Sequence, residues 1–238
     1  MCNCSCKSIG TVYGTTDGLY TLKLDNGSKT FKFYHLQDKS RVNVAKGKRV
    51  TSVVFRQYDT TIIYCIDNKE VYIGQLKNGY LNGIKKIYTV VNDERINKIE
   101  VLQNNEKQKI DNYTNIILLT NKGVIKVSDY GTILKDKNQF IFNTGNYTIN
   151  CSLVYNDCLY IGTSNGLYKL DNSDLRYKKD TRFTSDIRQL AKTIDHTSGN
   201  DKDLFLLVEV SSQYKIYNFN NSSTPLITNS NINGFGVC

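Results

Sequence analysis

The chain has no tryptophan, one proline, one methionine and two histidines among 238 residues, and each shortage removes a class of explanation. With only His35 and His196 to draw on, a metal centre built from several imidazoles is excluded, and a Ser or Cys nucleophile has no evident base. The single proline, Pro225, leaves the turns to Gly, Asn and Asp. No run of about 18 apolar residues occurs, and the opening MCNCSCKSIG has no apolar signal-peptide core. The expectation is therefore a soluble chain, cytoplasmic or carried in a virion, with no signal peptide, no transmembrane segment and no membrane partner.

What is abundant is the apolar and aromatic material of a β core: hydrophobic residues make up 39%, with 17 Tyr and 9 Phe, enough to exclude disorder. Five times an apolar run meets a short turn and reverses into a second strand, at Asp17-Gly18, Asn68-Lys69, Lys122-Gly123, Asn165-Gly166 and Ser211-Ser212. Gly in a tight reversal supplies the positive φ that such hairpins need. The turns recur at a spacing of roughly fifty residues, the mark of one structural unit repeated.

Around each hairpin the same neighbours return. A strand opening on an aliphatic residue precedes it, at Val50–Val53, Ile96–Ile99, Ile149–Ser152, Ile187–Leu190 and Ile232–Phe235. A more polar strand follows, at Lys29–Leu36, Ile84–Val90, Gln139–Asn143, Leu175–Lys179 and Thr224–Thr228. Four antiparallel strands per unit, called a to d here, describe a β-propeller blade. Strand b is apolar on both faces, as in Ile62-Ile63-Tyr64-Cys65, which requires cover on both sides. Pro225 falls on an expected outer strand, where a missing N–H is tolerated. The expected fold class is all-β: a five-bladed β-propeller over residues 11–238 behind a Cys-rich tail, 1–10. The first unit opens at strand b, Thr11–Thr16, so the C-terminal strand Ile232–Cys238 is expected to join that blade and close the ring.

The fourth unit, INCSLVYNDCLYIGTSNGLYKLDN, and the first, TVYGTTDGLYTLKL, resemble the sensor-type repeat of regulator propellers. The chain departs from that repeat at Tyr160, where a tryptophan is usual, and in its small number of blades. The resemblance implies a fold and assigns no activity.

Candidate chemistry is sparse. Paired carboxylates for glycoside hydrolysis would have to lie on the inner strands, where only Glu100 stands, with Asp186 and Asp195 just outside the strand ends. Asp195, Asp201 and Asp203 do not follow calcium-loop spacing. No catalytic residue, no cofactor and no enzymatic activity are expected. Cys2, Cys4 and Cys6 alternate, and with Cys238 would gather at the closure point as a zinc site, a disulfide latch or, in the plainer case, a frayed tail.

Partner binding is the more natural use. The second position of strand a reads Thr51, Asn97, Asn150, Arg188 and Asn233, a polar ring at one channel mouth that channel water would also explain. The formal charge of +9 is mostly scattered; its densest cluster includes Lys46, Lys48 and Arg49. Nucleic acid is a possible partner by charge, but without a continuous basic stripe protein partners are favoured. The function expected is a non-enzymatic structural or protein-interaction scaffold, a subunit of a larger assembly such as a phage tail or virion component, since the Asn, Lys, Ile and Tyr excess fits an AT-rich genome. The alternative is a carbohydrate- or small-ligand-binding, lectin-like propeller, for which the recurring Tyr20, Tyr72 and Tyr168 are the relevant residues, although blade packing also accounts for them.

Overall fold

A computed structural model describes residues 2–6, 10–25, 27–56, 59–102, 115–121, 123–135, 148–156, 158–170, 177–195, 197 and 200–232. Five four-stranded antiparallel sheets account for its regular structure. The first comprises β1 (Cys2–Cys6), β2 (Gly10–Thr15), β3 (Gly18–Asp25) and β4 (Thr30–His35), and the second β5 (Val50–Arg56), β6 (Thr61–Ile66), β7 (Glu70–Lys77) and β8 (Tyr80–Thr89). The third holds β9 (Ile96–Leu102), β10 (Asn115–Thr120), β11 (Gly123–Val127) and β12 (Ile133–Lys135). The fourth runs from β13 (Ile149–Tyr155) through β14 (Cys158–Thr163) and β15 (Gly166–Leu170) to β16 (Tyr177–Lys179). The fifth runs from β17 (Asp186–Ile194) through β18 (Asp201–Val210) and β19 (Gln213–Asn218) to β20 (Ile227–Asn229). Strands pair in sequence order within every sheet, as successive hairpins must. The chain forms two compact units, the first three sheets in one and the last two in the other.

Apolar side chains on both faces of strand b drive the stacking. All six residues of β6 are buried. Ile62, Tyr64 and Ile66 join Val12, Leu19 and Leu36 of the first sheet and its exit in one core, whereas Ile63 and Cys65 join Ile99, Ile116 and Leu118 of the third sheet in another. In the second unit Leu204, Leu206 and Val208 of β18 pack with Tyr160 and Leu167 of the fourth sheet. Each fully buried Leu or Ile contributes about 2 kcal/mol, and only when water is kept from both faces is the whole sum realised.

Four expectations are corrected. The inner strand of the first sheet is Cys2–Cys6 itself, paired with Cys2 opposite Gly14 and Cys6 opposite Gly10. The segment is thus a strand and not a tail, and it occupies the place expected for the C-terminal strand. The reason is entropic: a hairpin between neighbouring segments closes a loop of a few residues, whereas the chain end would close one of more than 200. Asn233 and Cys238 lie outside the described residues. Secondly, the outer strand of the third sheet is Ile133–Lys135, ahead of the expected Gln139–Asn143, because Gly131 at φ +83° reverses the chain soon after β11; residues 139–143 lie outside the described ones. Thirdly, Pro225 stands just before its edge strand and not within it.

The fourth correction concerns the turns. Gly18 and Gly166 are not turn residues: each opens strand c opposite a threonine, Thr15 or Thr163, and the two-residue turns are Thr16-Asp17 and Ser164-Asn165. The threonine hydroxyl decides the register. Thr15 Oγ1 donates to the Gly18 carbonyl at 3.1 Å and accepts the Asp17 N–H at 3.0 Å; Thr163 makes the same pair with Gly166 and Asn165 at 2.9 and 3.1 Å. The glycines are required by close approach as well as by φ values of +111° and +115°. A Cβ on Gly18 would stand 2.7 Å from the Val44 carbonyl oxygen, and one on Gly166 would stand 2.5 Å from that of Phe183. In both sheets the connection to the next sheet lies against the hairpin, held by Leu19 N–H to Val44 O and by Leu167 N–H to Phe183 O. At the fifth hairpin Ser211-Ser212 forms the expected turn, with φ of 50° and 63°.

One buried ion cluster adds to the first unit. Arg56 is 3% exposed and donates to both carboxylate oxygens of Asp59 and of Asp129, tying β5 to the β11–β12 turn at 2.5 to 2.9 Å.

These contacts set the cost of three substitutions. Gly166→Ala should lower unfolding free energy by about 3 kcal/mol in a denaturant titration. Gly47→Ala, at φ +71° but with open space around it, should cost only about 1 kcal/mol. Arg56→Met, which leaves Asp59 and Asp129 facing each other without their cation, should cost about 3 kcal/mol, and adding Asp129→Asn should recover part of that loss.

Candidate functional site

The connection between the first two sheets, residues 36–49, supplies the strongest site. Its backbone is laced to the first sheet: Leu36 N–H donates to Leu19 O, Val44 N–H to Leu36 O, and Gly47 N–H to Asp17 Oδ1 at 2.7 Å. Asp17 sits in the first hairpin turn, where Tyr20 Oη also donates to its Oδ2 at 3.1 Å and His35 Nε2 lies 3.5 Å away. The Gly47 N–H and then the Tyr20 hydroxyl hold the Asp17 carboxyl below its usual range, with His35 and Lys46 adding their fields. A turn carboxylate is thereby the clamp that fixes a basic loop.

Beside this loop lies an open cleft of about 430 Å³, between the first hairpin and the start of β5. Gly14, Thr15 and Thr16 line one wall, Arg49, Val50 and Thr51 the other, and Asn68 of the second hairpin the end. Asn68 organises that end. Its Nδ2 donates to Ile96 O at 2.7 Å, its N–H to Thr51 Oγ1 at 3.3 Å, and its Oδ1 accepts from Arg49 Nη2 at 2.8 Å. Asn68 is able to do this because Asp67 and Asn68 both adopt positive φ, 52° and 59°, a conformation that Asx residues tolerate. Hydroxyls, an amide and a guanidinium face the opening, an arrangement suited to holding an anionic or polar group.

Lys46, Lys48 and Arg49, the basic cluster expected from the sequence, are all exposed beside the cleft. The expected polar positions divide between the two units. Asn97 is exposed in the first unit. In the second unit Asn150 Nδ2 donates to Asp186 Oδ1 at 2.6 Å and to Ile187 O at 3.0 Å, joining β13 to β17, and Arg188 pairs with Asp186 and Glu209 at 3.1 and 2.6 Å. Asn150 and Arg188 are therefore occupied in holding neighbouring inner strands. Burial pushes the Asp186 carboxyl up, and the nearby Glu209 adds to it. Glu100 pairs with Lys98 at 2.7 Å. Asp195 accepts the Thr197 N–H, Asp201 pairs with Lys192 at 2.6 Å, and Asp203 accepts from Asn218, so the three aspartates serve separate local contacts. Among the described residues no group of three or more His, Cys, Asp or Glu is placed to hold a metal ion. Cys238, the fourth member of the expected thiol cluster, lies outside those residues.

The residues that sequence reasoning missed are Thr15, Thr16, Asp17 and Asn68. A signal existed: Thr-x-x-Gly recurs at Thr15–Gly18, Thr120–Gly123 and Thr163–Gly166, and marks the hairpin side of the first, third and fourth sheets.

No family model and no curated protein sequence matches the chain. Solved structures do. The WD40 β-propeller domain of Doa1 superposes with a TM-score of 0.57 at 10% identity, over 98% of this chain and 69% of that one. The five sheets are the blades of a β-propeller. A protein from Lactobacillus plantarum is similar at TM-score 0.58 and 18% identity, over 93% of this chain and 67% of that one. The extracellular domain of a one component system from B. thetaiotaomicron is similar at 0.56 and 17%, over 90% of this chain and 26% of that one. At these identities the likeness shows the β-propeller fold and nothing about activity. No helix among the described residues is long and apolar enough to cross a membrane.

The Asp17 clamp predicts a pH dependence. A depressed folded-state carboxyl stabilises the loop fully above its ordinary value of 3.8, and that contribution is lost as pH falls through the lower folded-state value. The Gly47 amide proton, followed by NMR, should titrate with a midpoint below 3.8, and Asp17→Ala should abolish the step.

Proposed function

We propose that this propeller is a non-enzymatic protein-interaction or structural scaffold, a subunit of a larger assembly, with a phage tail or virion as the assembly its composition suits. One observation carries the reading: a basic loop, pinned by backbone hydrogen bonds and by Asp17, presents Lys46, Lys48 and Arg49 beside an open polar cleft on a rigid stack of sheets. Loops held on a rigid scaffold bind partners at low entropic cost. The fold supports the reading, since propellers spend nearly all their residues on a frame and leave turns free to vary.

A lectin-like use draws on a separate observation. Tyr20, Tyr72 and Tyr168 stay half-buried on strand c, and each stands opposite a basic residue of strand d, namely His35, Lys86 or Lys179. The hydroxyls of Tyr20 and Tyr72 are already engaged by Asp17 and Glu70, which favours packing over sugar stacking. A glycan array showing binding that Tyr72→Ala removes would reverse that preference.

Cross-linking of the full chain in its native particle or cell extract tests the scaffold. Lys46 and Lys48 should cross-link to one stoichiometric protein partner. A chain that sediments as a monomer there, with no cross-link at either lysine, counts against it.

A further inference from the structure

Resting on the scaffold reading, the cleft also indicates the chemistry of what docks there. We propose that it receives a carboxylate from an acidic peptide segment of the protein partner, with Arg49 as the anchoring cation and Thr16 and Thr51 as hydroxyl donors beside it.

Several cations elsewhere on the surface are already paired. Lys86, Lys98, Arg182, Arg188 and Lys192 each stand within 3 Å of a carboxylate, and Arg56 lies between two. Lys46, Lys48 and Arg49 form no salt bridge among the described residues. The carboxylates that face them offset them only in part. Asp17, held by the Gly47 N–H and Tyr20 hydroxyl, keeps its negative charge beside Lys46, whereas Glu70 is paired with Lys86 at 2.8 Å and bonded by Tyr72 at 2.9 Å. Asp67, exposed in the turn, contributes a second opposing charge. Three cations within four positions therefore retain a net positive field at the cleft mouth.

Arg49 is also preorganised. Asn68 Oδ1 holds one guanidinium edge at 2.8 Å, and Asn68 is itself fixed through Ile96 O and Thr51 Oγ1. A guanidinium carries five donors in a planar fork that matches a carboxylate, so one edge held by an amide leaves another to an incoming anion. The cleft has room for one or two side chains, about 430 Å³. Its cations cluster around one opening and do not track along a groove with stacking aromatics, as single-stranded nucleic acid requires. A carboxylate on a protein segment is the occupant that fits both the volume and the compact charge.

The test is fluorescence anisotropy with the full chain and a fluorescein-labelled deca-glutamate peptide, alongside a deca-lysine peptide, inorganic phosphate as competitor and a labelled oligothymidine strand. The glutamate peptide should bind and the lysine peptide should not, and Arg49→Gln should weaken binding about tenfold, one decade in the dissociation constant. Lys178→Gln, which removes one exposed charge on β16, should leave it unchanged, and thermal melts should show both variants folded. Equal weakening by the two variants, or tighter binding of oligothymidine with the same Arg49 dependence, overturns the proposal. So does failure of the glutamate peptide to bind. If that failure coincides with retained cross-links at Lys46 and Lys48, the acidic assignment falls and the scaffold reading stands.

Discussion

A strand with apolar side chains on both faces has no stable place at the surface of a sheet stack, and this constraint shapes everything else in the chain. In β6, Ile62, Tyr64 and Ile66 look one way and Ile63 and Cys65 the other, and both sets are buried in different cores. Such a strand demands a sheet on each side, and a repeat of such strands demands a series of stacked sheets. Charged residues then fall mainly on edges, turns and connections, which is where Asp17, Lys46, Lys48, Arg49 and Asn68 lie.

The hairpins link that stack to the site. A threonine hydroxyl sets the register at Thr15 and Thr163, and this brings Gly18 and Gly166 against the carbonyls of the following connection. Without a side chain at Gly18 the 36–49 connection packs against the first sheet, and Asp17, one residue earlier, reaches Gly47. The position of Arg49 thus follows from a backbone approach that only glycine permits. Rigidity in the loop is a property of the hairpin beneath it.

Legibility differed by level. The repeat, the two-faced strand b and the polar outer strands were readable because they depend on periodicity, which is local. The inner strands starting at Val50, Ile96, Ile149 and Ile187 lie within one residue of where they were expected. The first inner strand was not readable: Cys-Asn-Cys-Ser-Cys alternates without aliphatic residues, and its pairing with Gly10–Thr15 is a choice between competing partners that no local pattern records. The turns were misplaced by one residue because Asp-Gly and Asn-Gly carry a strong turn preference, and the threonine hydrogen bonds overrode it. Lys46, Lys48 and Arg49 were legible as a charge cluster, but Arg188 and Asn150, expected as binding residues, are engaged by Asp186 and Glu209.

By itself, the sequence determined that this protein is built from five repeated four-stranded units with buried central strands, because side-chain alternation and turn composition act over a few residues. Only the tertiary structure decided which strand fills the first inner position, which cations are neutralised across strands and which remain open beside a cleft. Those outcomes depend on distances between segments far apart in the chain, where loop entropy, close backbone approach and carboxylate competition choose among partners that look equivalent in one dimension.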